Sequence, residues 1–108
     1  MEPLRIVETS NGNYSLLLNA GETPSDQAVE ALGHEPNGYF WEGVAQRVAP
    51  ELIKQVGLDS EGGMFCAYGT NQAALEQLGA ALASVVNDPA KVRDVVATAE
   101  ADGFEFDD

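Results

Sequence analysis

The chain has 108 residues, with 18 acids against 5 bases and a formal net charge of −13. That length allows one domain with one modest core, burying roughly two-thirds of the unfolded surface, and an apolar content of 44% is too high for a disordered chain. The charge exceeds the magnitude of ~2–8 usual for a small soluble domain; it works against direct binding to nucleic acid or an anionic membrane and favours a basic partner, although solubility alone would also account for it.

Met1–Arg5 shows no basic segment followed by a long apolar run, so no signal peptide is expected, and no apolar stretch reaches membrane-spanning length. Leu4 to Thr9 alternates and is rich in β-formers; Asn11-Gly12-Asn13 and then Tyr14 to Asn19 complete a hairpin signal. Leu4 and Ile6 share one face of the first strand, with Arg5 and Val7 on the other. Tyr14, Leu16 and Leu18 share one face of the second, with Leu17 opposite.

Thr23-Pro24 predicts a helix start, with Thr23 as N-cap and Pro24 at the first helical position. Ala28, Val29 and Leu32 form a short apolar stripe that Gly33 stops, and His34 to Gly38 turns the chain. A second helix is expected from about Tyr39, with Trp41, Val44, Ala45, Val48 and Leu52 inward. Pro50 predicts a kink or a restart running to about Val56, which Gly57 ends. Leu58 to Gly63 reads as a turn or the approach to a strand, and the continuous apolar run Met64 to Tyr68 as a buried strand. Thr70 is the expected N-cap of the longest helix, Asn71 to Asn87, which turns Leu75, Leu78, Leu82, Val85 and Val86 inward. Asp88-Pro89 caps a last helix, Ala90 to Ala101, stopped by Gly103. Phe104 to Asp108 alternates like a short strand, its phenylalanines docked and its acids in water. The order ββααβαα implies an α+β domain over 1–108, a small antiparallel sheet packed against about four helices.

No catalytic constellation stands out. His34 is the only histidine, and no Ser, Cys or Thr stands in an elbow or triad context beside it; its place just past a helix end suits bonding the last carbonyls. One His and one Cys cannot make a zinc site, and Asp59-Ser60-Glu61-Gly62-Gly63 is too short for a calcium loop. Gly62-Gly63 precedes a strand, the wrong order for a phosphate loop. No cofactor is expected. The lone cysteine, Cys66, cannot form an internal disulfide, which points to a reducing cytoplasm, and it lacks the basic neighbours of a reactive thiol.

The segment Gly33 to Gly43 concentrates aromatics, glycines, a proline and the histidine. At 100° per residue Tyr39 falls about 160° from Trp41, so Trp41 points to the core and Tyr39 outward. Tyr39 is the candidate interface anchor, beside Glu35, Asn37 and Glu42; Asp59 and Glu61 join Glu35 and Glu42 as candidate contact acids for a partner.

Three segments carry a family likeness: Gly33-His34-Glu35-Pro36-Asn37-Gly38-Tyr39-Phe40-Trp41, Met64-Phe65-Cys66-Ala67-Tyr68-Gly69 and Gly103-Phe104-Glu105-Phe106-Asp107-Asp108. Together they resemble the immunity protein 51 family of bacterial polymorphic toxin systems. The resemblance implies a cytoplasmic antidote, not an enzyme, that binds and silences a toxin domain encoded beside it; it assigns no residue roles. If that toxin is a nuclease, its basic substrate cleft would meet the acidic surface of this chain. The alternative is a non-enzymatic acidic adaptor or regulatory module. The sequence leaves the oligomeric state open.

Overall fold

The computed structural model describes residues Met1–Asp108. The hairpin forms as expected: β1 (Arg5–Ser10) pairs antiparallel with β2 (Asn13–Asn19) around the Asn11-Gly12 turn. β2 pairs antiparallel with β4 (Met64–Gly69), and β4 with β3 (Gly57–Leu58), giving the sheet order β1-β2-β4-β3. The two-residue β3 is the additional strand, formed where the sequence predicted a turn or an approach.

Five helices complete the α+β fold: α1 (Asp26–Ala31), α2 (Gly38–Val48), α3 (Pro50–Ile53), α4 (Gln72–Val86) and α5 (Pro89–Ala101). α2 and α4 pack on the sheet, and α5 packs against α1, α2 and α4. Leu16, Leu18, Phe65 and Ala67 project from the sheet into a core with Phe40, Trp41, Leu75, Leu78 and Leu82, all fully buried. This burial is the main stabilising term, at about 25 cal/mol per Å² of apolar surface removed from water.

Several boundaries differ from the expectations for local physical reasons. α1 begins at Asp26, not Pro24. Thr23 Oγ1 is hydrogen-bonded to the Asp26 carboxylate, and Ser25 is buried with its hydroxyl donating to the Val86 carbonyl at 2.6 Å. That distant bond, together with the Thr23–Asp26 turn, holds the segment out of helical geometry. Asn71, not Thr70, caps α4, its Oδ1 accepting from Ala74 N at 3.0 Å. Asp88 caps α5 as expected, and Gly33 and Gly103, both at positive φ, follow α1 and α5. The break before Pro50 falls at Ala49, whose φ of −141° and ψ of 56° end α2; the restart is the single turn α3.

Two corrections concern surfaces. The tail Phe104–Asp108 is not a strand. The Phe106 ring lies 5.1 Å from Phe40 at a tilt and meets Phe104 edge-on at 4.9 Å, while Arg47 lies 5.6 Å over the Phe104 ring. Gly43 makes this seat, since a Cβ there would stand 2.6 Å from the Phe106 ring. β4 is not buried on both sides: Phe65 and Ala67 are covered, whereas Tyr68 is exposed.

Candidate protein-binding site

The α1–α2 connection, the start of α2 and the β3–β4 turn meet at one end of the molecule. Asn37, predicted as a partner contact, is 9% exposed. Its Oδ1 accepts from Phe40 N at 2.9 Å, so it is the N-cap of α2. Gly38 N donates to the Gly62 carbonyl at 3.1 Å. A Cβ on Gly38 would collide with the carbonyl oxygens of Glu61 and Met64, so only glycine lets the helix approach this turn.

The same junction gathers three of the predicted acids. Ser60 N donates to Glu42 Oε2 at 3.2 Å, and Ser60 Oγ accepts from Cys66 N at 3.0 Å. Asp59 N donates to the Cys66 carbonyl, and Glu61 and Met64 exchange main-chain bonds that close the turn. Glu42, Asp59 and Glu61 thus surround the start of β4, Asp59 and Glu61 being exposed and Glu42 half-buried. Burial pushes the Cys66 thiol up from its ordinary pKa, against a hydrogen bond with Ser15, and the fields of Asp59, Glu42 and Glu61 push it further. A neutral thiol is a poor nucleophile.

Tyr39 stands in the first turn of α2, 40% exposed as its helical phase requires. Glu35 is exposed on the preceding loop, where it also borders a shallow cleft with Glu30 and Pro36. The structure therefore places Glu42, Asp59 and Glu61 together, sets Glu35 and Tyr39 at the adjoining helix start, and turns the Asn37 side chain inward.

The His34 main-chain N–H donates to the Val29 carbonyl of α1 at 3.2 Å, but the imidazole does not bond the last carbonyls of that helix. Its Nδ1 faces both Asp108 carboxylate oxygens at 3.0 Å, and its Nε2 faces Glu100 Oε2 at 3.1 Å. Glu35 N and Asn37 Nδ2 also donate to Asp108, at 2.8 and 3.3 Å. Only the imidazolium can donate from both nitrogens. Burial lowers the His34 pKa, but hydrogen bonds to Asp108 and Glu100 and the field of both carboxylates outweigh it, so the pKa rises. Burial likewise raises the Asp108 pKa, and the Glu35 N–H and the histidine overcome it downward. This His34–Asp108 contact pins the tail and leaves neither ring nitrogen free to serve as a general base. No signal in the alternating tail pointed to this pair, because it joins segments 74 residues apart.

No group of three or more His, Cys, Asp or Glu side chains is placed to hold a metal ion. No helix is long and apolar enough to cross a membrane. The five cations are Arg5, Arg47, Lys54, Lys91 and Arg93. Arg47 pairs with Asp102 and Lys54 with Glu51; no ion pair joins a cation to Glu42, Asp59 or Glu61.

A family model described as Immunity protein 51 matches residues 4–101. The matched span stops at Ala101 and leaves the tail that contributed to the resemblance outside it. No curated protein and no solved structure matches the chain.

Proposed function

The chain belongs to the immunity protein 51 family, and from that premise we propose that it is a cytoplasmic immunity protein that binds a cognate toxin domain encoded beside it and occludes the toxin's active site. It acts by binding, not by catalysis. The observation that supports an acidic docking surface is the junction of Glu42, Asp59 and Glu61, with Glu35 and Tyr39 at the adjoining start of α2. The chain has no Lys or Arg between Ile6 and Gln46 or between Gln55 and Ala90, so no neighbour in sequence neutralises these acids. Such a surface attracts a basic substrate cleft, speeds encounter and weakens with salt. Asn37 contributes by holding the start of α2 in place.

Co-expression with the toxin domain encoded beside this chain tests the reading through growth. The domain is expected to stop growth alone and to be tolerated when the chain is present. A domain that is harmless, or that kills regardless, contradicts the proposal for that pair and favours an acidic adaptor module. Replacing Glu35, Glu42, Asp59 and Glu61 together by their amides is expected to weaken binding and flatten its salt dependence. Unchanged affinity and salt dependence would remove the acidic mechanism without removing immunity.

A further inference from the structure

The sheet has a helical layer on one side only. On its other side the cross-strand row Arg5–Leu17–Cys66 runs beside the row Val7–Ser15–Tyr68–Gly57. An antiparallel sheet face left to water is normally lined by polar residues. Here Val7, Leu17, Met64, Cys66 and Tyr68 occupy it, with Val7 36% and Tyr68 48% exposed. The Tyr68 ring leans across Gly57, where any Cβ would collide with it. A tyrosine seated on glycine beside a strip of apolar side chains has the composition of an interface centre.

The margins of this face differ. Arg5 stands at the β1 margin, its guanidinium donating to Asn19 Oδ1 at 3.3 Å. Asp59 stands at the β3 margin, bonded through its main chain to Cys66, with Glu42 and Glu61 close enough for their fields to reach the Cys66 thiol. An apolar strip bounded by acids fits a protein surface whose apolar centre is ringed by Lys or Arg. A second copy of this chain fits poorly, because each copy brings a net charge of −13.

We infer that this open sheet face, centred on Tyr68 and Leu17 and bordered by Asp59 and Glu61, is where a basic toxin domain docks, which rests on the neutralisation reading above. The acidic junction is then the rim of the interface and the outward residues of β1, β2 and β4 are its centre. Rim charges set encounter rate and salt dependence, and the buried aromatic sets the lifetime of the complex.

Cys66 is the only cysteine and lies in the middle of this face, so it reports occupancy in the unaltered protein. Its alkylation by iodoacetamide is followed on the Cys66 peptide by mass spectrometry, with and without excess toxin domain, while gel filtration records the complex. A complex with alkylation slowed by about tenfold or more is expected. A complex with unchanged alkylation overturns the docking face and leaves neutralisation standing. No complex overturns the neutralisation reading and this inference with it. Protection that appears with rising concentration of the chain alone identifies a second copy as the occupant and also overturns it. Val7→Lys, at an exposed position of the edge strand, gives an independent check. It is expected to weaken toxin binding by about tenfold or more, while Lys91→Ala on α5 binds as the unaltered chain does; equal binding by Val7→Lys contradicts the inference.

Discussion

Alternate residues of the same two strands live in opposite surroundings. Leu16, Leu18, Phe65 and Ala67 lie fully buried against the helical layer, whereas Leu17, Cys66 and Tyr68, one position away, face outward. The difference follows from the period of two along a strand, and it separates two tasks. Inward residues hold the fold, and outward residues are free to be shaped by a partner. A one-residue change of register would exchange the two sets, so the hairpin and the β2–β4 pairing determine the candidate interface as firmly as they determine the core.

The largest expected effect lies on the covered side. Phe65→Ala removes a fully buried ring between the sheet and the helices and is expected to cost about 3–5 kcal/mol in urea unfolding. A loss under 1 kcal/mol would mean that the covered face does not carry the core. Asn37→Ala should cost about 1 kcal/mol, since it frees Phe40 N at the start of a helix that covers the sheet. Gly or Asp at this position should recover part of the loss, and an unchanged urea midpoint in Asn37→Ala would contradict the capping role. Leu17→Ser, on the open face, is expected to change stability by no more than about 0.5–1 kcal/mol; a loss as large as that of Phe65→Ala would erase the distinction between the faces.

Much of the covered side was legible in the sequence. Alternation marked β1 and β2, helical spacing marked the inward faces of α2 and α4, and Asp88-Pro89 marked the start of α5. The open side was not, because the run Met64 to Tyr68 is apolar at every position, and periodicity cannot tell which face of such a strand receives a helix. Tyr39 and the acids were legible as exposed polar candidates. Their convergence with β4 depends on the Gly38–Gly62 approach, which joins segments far apart in sequence. The tail misled for a similar reason: its alternation matches a strand, but Gly43 and Phe40 seat its phenylalanines and His34 holds Asp108.

The smallest expected effect is the pH dependence of that tail contact. His34 has a folded pKa above its ordinary 6.5, so its contribution is fully present below about that pH and is lost as pH rises through the folded value. Asp108 has a folded pKa below its ordinary 3.8, so its contribution is present above that pH and is lost as pH falls through the folded value. The pair therefore holds the tail most firmly between about pH 4 and 6.5. An NMR titration of the His34 ring should show a midpoint above 6.5, and Asp108→Asn should lower it; a midpoint at or below 6.5 would contradict the contact.

The most direct test of the division between the two faces is the dissociation constant of the toxin domain for Tyr68→Ala, measured beside the unaltered chain after urea unfolding has shown equal stability. A central tyrosine anchor is worth about 2 kcal/mol or more, so affinity should fall by about 30-fold or more. A folded Tyr68→Ala chain that binds within about threefold of the unaltered one would contradict the account, because the exposed ring at the centre of the open face would then have no part in recognition.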